Sequence, residues 1–326
     1  MKIGVLMNPS AGGGLPQQRR VMEKLKEQWL RQQLYGVKEY GGEYLSQGAL
    51  KAPPGELAYR PRLEAALQSI LAEKPDMILS VGGDGTAAYI AEILIQLGSQ
   101  VPLAGLGSGT ANVGPIVSLN LEGKLPPPEE LEEAELGAIK ALDHTGSHIA
   151  YGFNDLVLAN TFLGSREGRW RTFEARALAE EGRLQEAAPL RAAFREEQRW
   201  FLNGEPIPPP PFMTAQLIAS PVEQDNYYGR AVTGLLCCTP QSPHQGALYA
   251  SPIPLVTMES FSEGYSGFLT GSQLLLKEGD RLRLEGLAPK ICAVADGNPH
   301  LVPEGIVTLQ YVPKCLRVLR RRQAYE

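Results

Sequence analysis

The strongest constraint on the fold is a pattern repeated through the first 115 residues, in which a short apolar run ends in a cluster of glycines. Residues 3–7 run into Asn8-Pro9-Ser10-Ala11-Gly12-Gly13-Gly14, residues 77–81 into Gly82-Gly83-Asp84-Gly85-Thr86, and residues 102–106 into Gly107-Ser108-Gly109-Thr110-Ala111-Asn112. Val21, Leu25 and Trp29 recur at helical spacing with charges between them, which predicts a helix over 17–34. Residues 63–72 read as a second helix, ended by Pro75, and a third runs through Leu97. The Gly-, Pro- and Tyr-rich stretch 35–60 has no assignable pattern. Strand, glycine turn and helix in repetition mark a parallel sheet with crossover connections. The first domain, 1–135, is therefore expected to be an open α/β domain of Rossmann-like type.

Leu125-Pro126-Pro127-Pro128 marks a break in composition, and the acidic run 129–135 reads as a short helix. Beyond residue 149 the patterns favour strands, at 151–160, 213–220, 231–239, 281–287, 290–295 and 305–312. One helical block, 173–201, mixes Arg, Glu, Ala and Leu evenly and reads as a solvated amphipathic helix pair. It precedes a proline-rich linker, 206–211. The second domain, 136–326, is expected to be mostly antiparallel β with this helical insertion.

Composition narrows the function classes. A chain of 326 residues suits about two domains, and 43% hydrophobic with 21% charged residues is ordinary for a globular protein. A formal net charge of −5 argues against a general nucleic-acid binder. The four cysteines, Cys237, Cys238, Cys292 and Cys315, include no C-x-x-C pair, so neither a disulfide framework nor a zinc site is expected. No apolar run approaches the ~18 residues of a membrane span, and residues 1–7 are too short for a signal segment. The expectation is a cytoplasmic protein without integral membrane contact.

In parallel sheets ligands bind outside the carboxyl ends of the strands, so the three glycine turns are expected to meet at one edge. Such turns expose successive N–H groups, and helix N-termini add a favourable dipole, which together make a phosphate cradle. Two nucleotide motifs are excluded. No glycine is followed by Lys-Ser or Lys-Thr in a P-loop frame, and G-x-G-x-x-G fails at Thr110 or Asn112. Asp84 would repel phosphate on its own. It fits a carboxylate that holds a divalent cation, one that takes a proton from an attacking hydroxyl, or one that bonds its own turn. His144 and His148 stand four apart, but Gly146 between them argues for a loop. His244 and His300 read as surface or hydrogen-bonded histidines. Arg166, Arg169 and Arg171 fit either a substrate phosphate or a solvated face, and the C-terminal Arg317, Arg320, Arg321 and Arg322 fit a soluble end or contact with acidic lipid.

Gly82-Gly83-Asp84-Gly85-Thr86 resembles the GGDGT motif shared by NAD kinases and the diacylglycerol and sphingosine kinases. Asn8-Pro9-Ser10-Ala11-Gly12-Gly13 is similar to the N-P-x-(S/A)-G-G opening of that superfamily. Ser108-Gly109-Thr110-Ala111-Asn112-Val113-Gly114-Pro115 resembles the corresponding loop of the acetoin-catabolism protein X (AcoX) branch. The segments Asn154-Asp155-Leu156-Val157-Leu158 and Phe162-Leu163-Gly164-Ser165-Arg166 look like the same branch, and Ala295-Asp296-Gly297-Asn298 resembles the superfamily's D-G-(E/Q) turn. The resemblance implies a nucleotide domain, a β-rich domain, an active cleft between them, and ATP- and Mg²⁺-dependent phosphorylation of a hydroxyl, with homo-oligomerisation known in the family. It implies that Asp84 is the catalytic or metal-linked carboxylate. Asn8, Ser10, Gly12, Gly83, Gly85, Thr86, Gly109 and Thr110 would cradle ATP. Asn154 and Asp155 would face a small-molecule nucleotide acceptor, with Asp296 in support. Two departures bear on the acceptor. The stretch 239–249 keeps only the frame of the NAD kinases' T-P-T-G-S-T-A-Y, and Asn298 stands where lipid kinases carry Glu. A lipid kinase and a non-catalytic nucleotide-binding protein are the rival readings.

Overall fold

The computed structural model describes residues 1–8, 15–45, 49–50, 59–108, 114–120, 123–166, 169–222, 244–258 and 270–321. They divide into two compact units, Met1–Leu136 with Cys315–Glu326, and Gly137–Lys314.

In the first unit, β1 (Lys2–Met7) leads to α1 (Leu15–Gln28), β2 (Gln33–Val37), β3 (Ala49–Leu50) and α2 (Tyr59–Ala72). Then follow β4 (Met77–Gly82), α3 (Asp84–Gln96), β5 (Leu103–Gly107) and β6 (Val117–Asn120). All six strands run parallel, in the spatial order β3-β2-β1-β4-β5-β6. Ile3, Val5, Met77, Leu79 and Val81 share one buried face of this sheet, against which Val21 and Leu25 of α1 and the following Trp29 pack, while Leu6 and Ile78 are buried on the other, as central parallel strands require. Helix α1 ends at Gln28, six residues short of the expected 34. Leu34 instead pairs beside Ile3, because 34–37 is a buried strand that continues the sheet.

The second unit holds two β layers around one core. The chain enters it within β7 (Glu132–Leu142) and continues through β8 (His148–Gly152), β9 (Leu156–Ala159), the pair β10 (Thr161–Arg166) and β11 (Arg169–Glu174), and α4 (Ala175–Glu181). It goes on through β12 (Phe194–Leu202), β13 (Glu205–Ile207), β14 (Gln216–Val222), β15 (Gln245–Ser251), β16 (Ser272–Leu276), β17 (Leu282–Leu287), β18 (Cys292–Ala295), β19 (Asn298–Leu301) and β20 (Ile306–Arg320). One layer is the antiparallel sheet β16-β15-β14-β9-β18-β19; the other is β13-β12-β17-β20 with β7 and β8. Leu158, Leu217 and Leu248 from the first layer meet Leu284, Val307 and Leu309 from the second in a fully buried core. The sequence-based assignment of an α/β unit and a mostly antiparallel β unit matches this architecture.

Several expectations are corrected. Residues 129–135 are not a helix. Pro128–Glu130 forms one 3₁₀ turn, and β7 starts at Glu132, with Glu133 paired to Arg317 at 2.7 Å. The acidic run has a tertiary partner, which outweighs its local helix preference. The block 173–201 is helical only over α4, where Gly182 at φ 65 closes the last turn, and 194–202 is strand. There Trp200 packs on Phe194 and Arg199 pairs with Glu285 of the neighbouring strand. The strand expected over 151–160 is broken at 153–155 into β8 and β9, and the strand expected over 231–239 lies outside the described residues. Residues 315–320, expected in the second domain, return to the first unit, where Val318 pairs beside Leu103 of β5.

Gly105 shows how tightly the first sheet is built. A Cβ there would lie 2.7 Å from Ile116 O and 2.8 Å from Val117 Cα, where the pairing of β5 and β6 shifts register. Because the obstacle is backbone, Gly105→Ala is expected to destabilise the fold by about 1–3 kcal/mol in urea unfolding. An unchanged midpoint would contradict this packing.

Candidate active site

The strand order of the first unit reverses direction on either side of β1. From β1 the chain builds outward through β2 and β3, then returns to the opposite side for β4, β5 and β6. This switch point opens a crevice at the carboxyl ends of β1 and β4, where α/β sheets bind ligands. Asn8 leaves β1 there and Gly83 to Thr86 leave β4 there. Asn8 N–H donates to Val81 O at 2.9 Å, and Asn8 Nδ2 donates to Thr86 Oγ1 at 2.7 Å. Gly82 permits that approach, since a Cβ on it would stand 3.3 Å from Thr86 Cβ and 3.4 Å from Asn8 Cβ.

Helix α3 starts directly from the strand. Its N-cap is Gly83, which has no side chain to cap the helix, and Asp84 occupies the first turn. A carboxylate in that turn is favoured by the helix dipole. The second anchor of Asp84 comes from 30 residues away, where Gly114 N–H donates to Asp84 Oδ2 at 2.9 Å. A Cβ on Gly114 would lie 2.8 Å from Asp84 Oδ1 and 2.9 Å from its Cγ, so only glycine lets the backbone reach the carboxylate. Ser108 N–H also donates to Gly82 O at 3.0 Å. The turn after β5 is thus tied to the turn after β4, and the half-buried Asp84 stands between them.

Asn8, Gly83, Asp84, Gly85 and Thr86 lie together at the switch point, while Ser10, Gly12, Gly109 and Thr110 lie outside the described residues. The sequence motif around Gly114 assigns that glycine no role. Its signal was the adjacent Pro115, which marks a fixed turn. Among the described residues no group of three or more His, Cys, Asp or Glu side chains gathers, and Asp84 is the one carboxylate among Asn8, Gly83, Asp84, Gly85 and Thr86. That donor set fits Mg²⁺ only in the manner common for nucleotides, with one carboxylate, Asp84, completed by phosphate oxygens.

In the second unit Asn154, Asp155 and Asp296 meet at the break between β8 and β9. Asp296 and Gly297 form the two-residue turn of the β18–β19 hairpin, with φ 49 and 81, the positive pair of a type I′ turn. The Asp296 carboxylate points back onto the 153–155 turn. Its Oδ2 accepts from Phe153 N–H at 2.8 Å, and its Oδ1 from Asn154 N–H at 2.7 Å and Asp155 N–H at 3.1 Å. Asp296 N–H donates in return to Asp155 O at 3.0 Å. Burial, and then the neighbouring Asp155 carboxylate, push Asp296 up to about 7 against the pull of the three N–H groups. Ser220, which the sequence did not single out, donates its hydroxyl to Asn154 O. Asn154 Nδ2 donates to Asp155 Oδ2 at 3.2 Å, while Asn154 Oδ1 is enclosed and meets no donor among the described residues.

Comparison with known proteins bears on the fold and on the first part of the chain. Residues 2–145 match the family model for the diacylglycerol kinase catalytic domain. An uncharacterized protein of Archaeoglobus fulgidus is 29% identical over 187 residues, 54% of either chain, so the match spans about half the length of that curated relative. Among solved structures, a Bacillus anthracis str. Sterne protein provisionally described as a diacylglycerol kinase has a TM-score of 0.55 at 12% identity, over 98% of this chain and 96% of its own. Yeast NADH kinase complexed with NADH has a TM-score of 0.51 at 11% identity, over 99% of this chain and 84% of its own. The chain has the fold of these proteins, and the family match over 2–145 supports the wider kinase superfamily that its motifs resemble.

Two outcomes follow from the geometry. Gly114→Ala should displace the Asp84 carboxylate and cost about 1–3 kcal/mol in unfolding free energy; full retention of stability would contradict the contact. For Asp296, the folded form holds its proton to about pH 7, whereas an unfolded Asp loses it near pH ~3.9. Its contribution to stability is therefore present below about pH 4 and lost as pH rises towards 7, by at most about 1.4 kcal/mol per pH unit. The stability difference between wild type and Asp296→Asn should shrink across that window. A difference independent of pH would contradict the assignment.

Proposed function

We propose that this protein is an ATP-dependent phosphotransferase that phosphorylates a hydroxyl of NAD(H) or a related nucleoside, on the AcoX-like branch of its superfamily. The observation that carries the reading is the Asp84 carboxylate. It is fixed at the switch point between a helix N-terminus and the Gly114 N–H, beside turns built from glycine. Such a site places negative charge among N–H donors that would otherwise simply bind phosphate, which is useful only if the carboxylate meets a proton or a cation.

In the proposed reaction the acceptor oxygen forms a bond to the γ-phosphorus as the bond to the β-phosphate bridging oxygen breaks, and ADP leaves. The acceptor's proton passes to Asp84. Asn8, Gly83, Gly85 and Thr86 hold the phosphates through the switch-point turns, so most of the rate comes from positioning and charge neutralisation. In the alternative role Asp84 would anchor Mg²⁺ together with phosphate oxygens instead of taking the proton, and the ion would supply Lewis-acid stabilisation of the transferring group. Asn154 and Asp155, presented by the turn that Asp296 holds, would supply polar contacts to the acceptor, which supports a nucleoside over a simple alkyl alcohol.

A lipid acceptor is the second reading, supported by the match of residues 2–145 to the diacylglycerol kinase catalytic domain. Asn298 opposes it, because an amide cannot serve as the base at that position. Asp84→Asn is expected to lower kcat by about 10²–10⁴-fold with cooperative unfolding retained, read as labelled product from γ-labelled ATP, Mg²⁺ and NAD. Unchanged turnover in that variant would overturn the reading.

A further inference from the structure

The proline-rich stretch between β13 and β14 belongs to neither candidate site. It reads Ile207-Pro208-Pro209-Pro210-Pro211-Phe212. Each proline fixes its own φ at about −65° and keeps the residue before it out of the helical region. Residues 207–211 are thereby driven into the polyproline II conformation, which completes a turn every three residues and carries three ridges of side chains.

Burial along the segment follows that period. Ile207 and Pro210 lie on one ridge and are half-buried, whereas Pro208 and Pro211 on the second ridge and Pro209 on the third are exposed. A bend at Pro211 and Phe212 ends the run and turns the half-buried Phe212 inward. Ile207 at one end and Phe212 at the other pack against the core of the second unit. The strap is therefore pinned at both ends along its inner ridge, with two ridges of pyrrolidine rings facing solvent.

Its backbone is equally available. The prolines carry no N–H, and among the described residues no carbonyl from Pro208 to Pro211 accepts a hydrogen bond. The segment crosses from one β layer to the other, since β13 and β14 belong to different sheets. That crossing needs length and the two anchors. It needs neither exposed rows of proline rings nor bare carbonyls. Both are what an aromatic-lined groove reads: flat rings receive the proline ridges between them, and ring N–H or O–H groups donate to the carbonyls. Pro208 and Pro211 supply the P-x-x-P spacing of such ligands on one exposed ridge. Because the strap is already extended and anchored, docking would order little chain. The exposed Glu205, just before it, favours a groove with a basic rim at that end.

We propose that the 207–212 strap is a preformed docking ligand for a partner protein whose groove is lined by aromatic side chains and takes P-x-x-P segments. The proposal does not depend on phosphotransfer, and it is tested without ATP.

Isotope-labelled SH3 and WW domains serve as the probes, each titrated with the full chain. NMR follows the indole N–H of the groove tryptophan. The expected result is a saturable shift of that signal in at least one of the two domains, reversed by a free polyproline peptide. Pro208→Ala combined with Pro209→Ala removes a ring from each exposed ridge and should weaken binding at least about tenfold. Pro210→Ala removes a ring from the inner ridge and should bind as wild type. Each variant relaxes the unfolded chain and is expected to melt slightly lower, and circular dichroism checks that it folds. The pair of variants thus separates recognition of the outer ridges from stiffness of the strap. No shift in either domain at millimolar chain, full binding by the Pro208→Ala and Pro209→Ala variant, or an equal loss with Pro210→Ala would overturn the proposal and leave the segment a rigid connector.

Discussion

Two long-range hydrogen bonds at the carboxyl ends of β1 and β4 fix the geometry on which the candidate site depends. Asn8 reaches Thr86 at 2.7 Å, and Gly114 reaches Asp84 at 2.9 Å. The first ties the end of one strand to the first turn of the helix that follows the other. The second holds a carboxylate against the backbone of the third glycine turn. Both require close approach, and glycines at 82 and 114 make it possible. The glycines that suggest a phosphate cradle in the sequence therefore also do structural work, bringing three segments of chain to one crevice. Buried β-branched and leucine side chains in β1, β4 and β5 supply the rigid sheet from which the crevice is built.

The second unit solves a similar problem by a different device. A type I′ turn at Asp296-Gly297 closes a hairpin, and its carboxylate is spent on three backbone N–H groups of the 153–155 turn. A buried carboxylate beside Asp155 is costly, and the three donors offset that cost. The turn presenting Asn154 and Asp155 is held from below by Asp296 and from the side by Ser220. Both carboxylate oxygens of Asp296 and its N–H are engaged with this turn, so its side chain fixes where Asn154 and Asp155 stand.

Much of the first unit was legible in the sequence because apolar runs ending in glycine have few other uses. The strands at 77–82 and 103–107, the helix from Asp84 and the convergence of their turns all follow from that pattern. The rest was illegible for physical reasons. Glu132 to Glu135 and the charged run 195–199 have helix-forming composition, and they become strands because cross-strand partners such as Arg317 and Glu285 decide their conformation. Leu34 continues a helical period yet pairs with β1, because a sheet edge offers more burial than another helical turn. The Asp-Gly pair is legible as a turn, but nothing local says that its carboxylate reaches residues more than 140 positions earlier. The bond from Gly114 to Asp84 is hidden for the same reason: local pattern records preference, and this contact joins segments 30 residues apart.

Phosphorus NMR of MgATP incubated with the purified protein and a mixed pool of hydroxyl acceptors tests the account most directly, because it does not depend on guessing the acceptor. NAD, NADH, simple nucleosides and diacylglycerol in mixed micelles would make up the pool. The account predicts loss of the γ-phosphorus signal, growth of ADP, and a new phosphate monoester resonance on a nucleoside acceptor. ATP that binds the protein but stays intact beside every acceptor would contradict it.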